Sequence, residues 1–323
     1  MRILMVRLSA LGDVVMGLHV LSTLRARVGS AYVAWLVEDR FAGLLEGHPQ
    51  LDALHIYGRK TIRTPSGFGV FRQMVRTLRD ERFDVVLDLQ GNLKSGVLTR
   101  LTGAERRVGL AAPLGREGNP FFMTESVPVP PGHRFDSYRG LLDHVFGPGE
   151  DAPAVLPGHG ERHDAIVLHP GVSRFGAFKR WPADHYADLG SRLAAKLDRP
   201  VLLTAGPGER DQAEAVASAM DAPAEIREPA NLRALVDTLA GAHLVVAADT
   251  GPAHIASATG VPTLTLFGPK DPDVLAPLGP RARSTRAGVR CSPCPLRACP
   301  DPICMTELSV DQVERDALAL LTG

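Results

Sequence analysis

What this 323-residue sequence lacks narrows it first. No G-x-G-x-x-G follows its opening strand and no G-x-x-x-x-G-K-[ST] occurs, which disfavours NAD-type dehydrogenases and P-loop NTPases. G-x-S-x-G is missing, which removes the simplest hydrolase reading. Neither sign of charge is in excess: Lys+Arg and Asp+Glu both count 36, so nothing global calls for nucleic acid. No run of about 18 apolar residues could span a bilayer. No charged leader, apolar core and cleavage site precede the first strand, so the expectation is a cytoplasmic protein, at most peripheral on a membrane. Low-complexity segments are absent too.

What is present reads as a soluble globular chain, 45% hydrophobic and 22% charged, with length for two domains. Residues 1–150 carry 19 Lys/Arg against 15 Asp/Glu, and residues 151–323 carry 17 against 21. An anionic partner would therefore meet the first half. Short apolar runs alternate with helical periodicity. Strands are expected at Ile3–Leu8, Ala31–Val37 and Asp84–Asp88, then at Ala165–His169, Val201–Thr204, Leu244–Ala248 and Val261–Phe267. Helices are expected at Val14–Arg27, around Phe71–Leu78, near Lys94–Leu101, and at Trp181–Leu197, Asp211–Met220, Leu232–Ala240 and His254–Thr259. Ser309-Val310-Asp311-Gln312 has capping-box spacing for a last helix ending near Leu321. Such alternation predicts parallel sheets flanked by helices. The Pro/Gly-rich segment 147–160 reads as a linker, giving an N-terminal domain over 1–155 and a C-terminal one over 156–323.

The stretch Leu244–Pro272 organises the rest. A fully apolar strand runs into Asp249-Thr250-Gly251-Pro252, with Pro252 suited to a first helical turn. A ligand loop at the carboxyl edge of a parallel sheet has this form, and the helix N-terminus favours an anion. An N-capping aspartate in an ordinary turn fits the same residues. Two further loops end strands, Ser9–Asp13 and His169–Lys179.

The segments RLSALGDVV at the N-terminus, DLQGNLKSG at 88–96, LHPG followed by FKRWP, and above all DTGPAHIASATGVPTLTLFGPKDP resemble the ADP-heptose:lipopolysaccharide heptosyltransferases, glycosyltransferase family 9. The match runs in order along the whole chain, and the 249–272 motif is its specific part. The resemblance implies the GT-B arrangement, two Rossmann-like α/β domains facing a central cleft. It also implies inverting transfer of heptose from an ADP-sugar donor to an anionic lipopolysaccharide-precursor acceptor of the Kdo-lipid A type at the inner membrane surface; the protein is expected to be a monomer.

Inversion needs a base to take the acceptor hydroxyl proton. Asp13 matches the family's base, although an acid in the first turn of a helix is ordinary. The leaving diphosphate needs positive charge. Lys179 matches the phosphate-contacting lysine, with Ser173 a hydroxyl partner, Ser9 and Gly12 on the first loop, the Thr250 and Gly251 amides completing the pocket, and Asp249 on the donor sugar. Glu209, after Gly206-Pro207-Gly208, suits the ribose hydroxyls. Where many relatives have a second hydroxyl residue after Ser9, this chain has Ala10. His254 reads as a packed helix residue. The remaining alternatives are a GT-B sugar-nucleotide epimerase or hydrolase and a non-catalytic sugar-nucleotide-binding relative.

A basic stripe (Arg59, Lys60, Arg63, Arg72, Arg76, Arg79) suits either an anionic lipid acceptor or a solvated helix face, and Arg59, Lys60 and Arg63 are the acceptor-side candidates. All four cysteines fall within fourteen residues, Cys291, Cys294, Cys299 and Cys304. In a cytosolic chain they could hold a structural zinc, with an iron–sulfur cluster ranked below it and disulfides or free thiols the alternative. The transfer itself calls for no cofactor.

Overall fold

The computed structural model describes residues 1–59, 64, 67–296 and 298–322. The chain divides into two compact units, Met1–Ala154 and Val155–Gly323. Each is built on its own six-stranded sheet, and every strand pair is parallel.

In the first unit the strands are β1 (Arg2–Val6), β2 (Tyr32–Glu38), β3 (Ala53–Tyr57), β4 (Val85–Asp88), β5 (Arg106–Leu110) and β6 (Glu125–Val127), in the order β3-β2-β1-β4-β5-β6. The helices are α1 (Leu11–Val28), α2 (Gly67–Asp80), α3 (Leu93–Leu101) and α4 (Arg134–Phe146). Central β1, β2 and β4 are buried almost throughout because helices cover both faces, so they read as unbroken apolar runs. Leu78 of α2 and Leu98 of α3 share one cluster with Leu4, Val6, Ala34, Leu36 and Val86, which puts both helices on one face of the sheet. The connection through α1 runs the other way along the sheet, so a right-handed crossover places α1 on the opposite face, where it packs with α4. There Gly17 makes room for Trp35: a Cβ at residue 17 would stand 2.5 Å from the indole. The indole nitrogen donates to the Arg7 carbonyl at 3.0 Å.

In the second unit β7 (Ile166–His169), β8 (Val201–Thr204), β9 (Ala224–Arg227), β10 (Leu244–Ala248), β11 (Thr263–Phe267) and β12 (Ala282–Arg286) are ordered β12-β11-β10-β7-β8-β9. The helices are α5 (Ala183–Leu197), α6 (Arg210–Ala219), α7 (Leu232–Ala240), α8 (Gly251–Ala258), α9 (Pro272–Leu275), α10 (Ile303–Thr306) and α11 (Val310–Thr322). Trp181, fully buried, locks the last helix down: its indole donates to the Leu308 carbonyl at 2.8 Å and its ring meets Tyr186 edge-on. The expected capping box is half made. The Gln312 amide reaches Ser309 Oγ, but the Gln312 side chain goes to Thr285 and Arg286.

Counted within each unit, the two strand orders are the same, 3-2-1-4-5-6. The order reverses between β1 and β4 in the first unit and between β7 and β10 in the second. The loops leaving those strands flank a crevice at the carboxyl edge of each sheet. Among the described residues, no helix is long and apolar enough to cross a membrane.

Candidate active-site crevices

In the first unit the crevice lies between the loop after β1 and the loop after β4. Asp88, the last residue of β4, is fully buried and accepts from the Gln90 and Gly91 amides, Ser95 Oγ and Asn119 Nδ2, all between 2.7 and 3.0 Å. Burial pushes its carboxyl above the usual range, against those four donors. The turn it shapes presents the Gln90 side chain, whose Oε1 accepts from the Leu8 and Ser9 amides at 3.0 and 3.1 Å. The DLQGN motif thus fixes the backbone of the loop that carries Asp13.

Asp13 sits in the first turn of α1. Its Oδ2 takes the Arg7 guanidinium at 2.5 Å and the Ala10 amide at 3.3 Å. Arg7 is itself buried, donates to the Leu89 carbonyl at 2.5 Å and lies 5.5 Å over the Tyr138 ring. Burial pulls its pKa down, but Tyr138, Asp13 and Asp88 outweigh this and hold it above its ordinary value. Burial drives the Tyr138 phenol up to about 12, against the pull of Arg7. Asp13 opens on a cavity of about 120 Å³ lined also by Gln90, Arg116, Arg134 and Tyr138. One carboxylate among three guanidinium groups can take a proton from a hydroxyl while the cations hold an anion beside it.

Ser9 and Gly12, both half-buried, lie on the same loop. Sequence reasoning missed Arg7, Gln90, Arg116, Arg134 and Tyr138. Arg134 opens α4, where a cation opposes the helix dipole and needs another reason to be there, but α4 was not itself expected from the sequence, so that signal was out of reach. Arg59 is half-buried just after β3, and Lys60 and Arg63 lie outside the described residues.

In the second unit the loop after β7 and the turn after β10 meet as the topology requires. Lys179 Nζ binds Asp249 Oδ2 at 2.5 Å and the Asp249 carbonyl at 3.1 Å. Asp249 is therefore not the N-cap of α8. Thr250 holds that position, and its hydroxyl donates back to the Ala248 carbonyl. Gly251 is the first helical residue, and the first amides of α8 have no intrahelical acceptor, so they suit an anion. His254, buried in α8, stands 4.0 Å from Asp249 Oδ1, beside the site. Ser173 is exposed on the loop after β7.

Glu209 precedes α6 with its Oε2 on the Gly206 amide at 2.9 Å and 3.5 Å from His169 Nε2. His169 is buried at the end of β7 and also meets Thr204 Oγ1 at 3.0 Å. Burial lowers its pKa, with Glu209 pulling the other way. Gly171 clears the space for that carboxylate, since a Cβ there would stand 2.3 Å from Glu209 Oε2.

The cysteine segment packs on the loop after β11. Ser292 Oγ donates to the Gly268 carbonyl and the Cys294 amide to the Pro269 carbonyl. All four thiols are free, Cys291 exposed and Cys304 buried. Burial raises the Cys304 pKa, as do the three other cysteines. Among the described residues, no group of three or more His, Cys, Asp or Glu is gathered to hold a metal ion.

Residues 71–303 match the profile of glycosyltransferase family 9 (heptosyltransferase). The lipopolysaccharide heptosyltransferase 1 of Pseudomonas aeruginosa is 27% identical over 351 residues, covering 99% of this chain and 98% of that protein. The structure of the Escherichia coli heptosyltransferase WaaC with ADP superposes with a TM-score of 0.83 at 23% identity, covering 99% of this chain and all of that one. The same enzyme with ADP-2-deoxy-2-fluoro heptose gives 0.80, again at 23% identity. These superpositions establish the GT-B fold.

Proposed function

The chain belongs to glycosyltransferase family 9, the heptosyltransferases, and on that premise we propose that it moves heptose from ADP-heptose to an inner-core lipopolysaccharide acceptor with inversion. The observation that carries the residue assignment is Asp13, held by Arg7 at the edge of an arginine-lined cavity. With Oδ2 engaged, Oδ1 accepts the proton of the acceptor hydroxyl as that oxygen attacks the anomeric carbon. The bond from that carbon to the β-phosphate oxygen breaks on the opposite face, and ADP leaves. Arg116 and Arg134 hold the anionic acceptor.

The leaving group's charge falls to Lys179 and the first amides of α8, with Ser9, Gly12 and Ser173 as further donor contacts. Lys179 exchanges part of its pairing with Asp249 for the diphosphate, which frees Asp249 to hold the donor sugar. Glu209 takes the ribose hydroxyls. We place the acceptor at the inner membrane surface and the protein, a monomer, on its cytoplasmic side. The names of the relatives support this reading: lipopolysaccharide heptosyltransferase 1, and a heptosyltransferase with ADP and with an ADP-heptose analogue. The cysteine segment carries no step in it.

The test is ADP release from ADP-heptose, with and without Kdo-lipid A, for wild type and Asp13→Asn. Acceptor-dependent release that falls at least about 100-fold in the variant is expected, the scale of a lost general base. Release without acceptor would refute transfer in favour of hydrolysis or epimerisation. Undiminished release by Asp13→Asn would refute the base.

A further inference from the structure

On the face of the first sheet covered by α2 and α3, apolar side chains stand in solvent where a monomeric soluble protein would rarely gather them. Phe68 and Val70 at the start of α2 are 65% and 50% exposed, and Leu93 and Val97 of α3 are 48% and 36% exposed. Beside α3, the 3-10 turn Asn119–Phe122 lays Phe122 against Gly96 and turns Phe121 outward, 92% exposed. Their positions follow a rule. Along α2, Phe68, Arg72, Arg76 and Arg79 recur every three or four residues and form one outward stripe. Along α3, Leu93, Val97 and Arg100 do the same. Both helices cover the same sheet face and start at the carboxyl edge of its parallel strands, so both stripes run the same way: apolar at that edge, arginine further back. Among the described residues of α2 and α3 themselves, Asp80 at the end of α2 is the only acid, and Glu117 lies against the Leu93 amide.

We propose that this face docks on an anionic phospholipid bilayer. The five apolar side chains enter the acyl boundary, and Arg72, Arg76, Arg79 and Arg100 meet the headgroups. Charge complementarity selects this occupant. A second copy packed stripe on stripe would set arginine against arginine or bury it against the apolar ends, whereas an anionic leaflet matches all four. The inference deepens the acceptor reading above and rests on it for why a bilayer should be near. It uses none of the residues that line the Asp13 cavity.

The test is co-sedimentation of the full-length protein with vesicles of phosphatidylcholine containing 30% phosphatidylglycerol (about a third anionic lipid), against vesicles of phosphatidylcholine alone. Wild type is expected to bind the anionic vesicles and to be released by salt. Arg72→Gln/Arg76→Gln/Arg100→Gln should bind on the order of 100-fold more weakly, since each arginine near such a surface is worth about fivefold. Phe68→Ser/Leu93→Ser/Phe121→Ser should also lose binding while keeping wild-type turnover on a deacylated, water-soluble acceptor, which shows that it is folded. Wild type that ignores anionic vesicles, or variants that bind as wild type does, would overturn the proposal. So would an apolar variant that only turns a dimer into a monomer in sedimentation velocity. Turnover of lipid acceptor without vesicle binding refutes this face alone, and vesicle binding without turnover refutes the acceptor reading alone.

Discussion

Gln90 touches no reacting atom in the proposed chemistry, yet its replacement should be costly. Its Oε1 is the shared acceptor for the Leu8 and Ser9 amides, at 3.0 and 3.1 Å. Gln90→Leu keeps the approximate volume and removes both bonds. A lost hydrogen bond costs about 1 kcal/mol net, and up to about 3 kcal/mol when the stranded donor stays buried. Ser9 is half-buried and can turn toward water, so its bond takes the lower value, whereas Leu8 is fully buried and takes the higher, about 4 kcal/mol in all. If that loss is felt where Asp13 must stand, kcat on Kdo-lipid A falls by up to roughly 1000-fold, at 1.36 kcal/mol per tenfold. Gln90→Glu keeps an acceptor at the same place and should recover most of the rate. The assay is steady-state ADP release, paired with thermal unfolding. A Gln90→Leu enzyme with wild-type kcat and a lowered Tm would show that the bond serves the fold alone. A Gln90→Glu enzyme as slow as Gln90→Leu would show that the amide nitrogen, not the acceptor, was needed. Either result refutes the reasoning.

Two further outcomes follow from the second unit. Gly171→Ala puts a Cβ 2.3 Å from Glu209 Oε2, and the flexible carboxylate is what gives way. ADP affinity by calorimetry should fall about tenfold, the loss of one hydrogen bond to a charged group, with little change in Tm; unchanged affinity would remove Glu209 from the ribose. His169 has a folded pKa depressed below 6.5 by burial, so its contribution to stability is present above that pH and lost as pH falls below it. Urea unfolding of wild type and His169→Gln between about pH 8 and pH 5 should show wild type losing more stability on acidification, and parallel curves would contradict the assignment.

The parts of the fold that could be read in advance are those where burial leaves a mark on every residue. Val201–Thr204, Leu232–Ala240 and Leu244–Ala248 have the bounds expected of them. The strands that escaped are edge strands or their neighbours. β9 (AEIR) and β12 (ARSTR) carry charge because an edge has a wet side, and β3 and β6 end the first sheet in the same way. Helix α4 escaped because its polar face interrupts a short apolar repeat. The Lys179–Asp249 partnership joins residues 70 apart, and only the strand order explains their meeting. Gln90 was within a quoted motif, but its role depends on Leu8 and Ser9, which no local pattern links to it.

The internal pairing in the first unit's crevice has a consequence for how turnover is throttled. Both sheets offer the same opening at the point where their strand order reverses, but in the first the amides of Leu8 and Ser9 are already taken by Gln90, and Arg7 is tied to Asp13 and Leu89. Those amides and that guanidinium are not left over for a diphosphate, and the other arginines of that cavity, Arg116 and Arg134, are assigned to the acceptor. In the proposed reading the spent nucleotide is therefore held chiefly at the α8 end of the second sheet. On that reading accumulating ADP competes with the incoming sugar donor and not with the lipid, so turnover is expected to follow the balance of ADP to ADP-sugar.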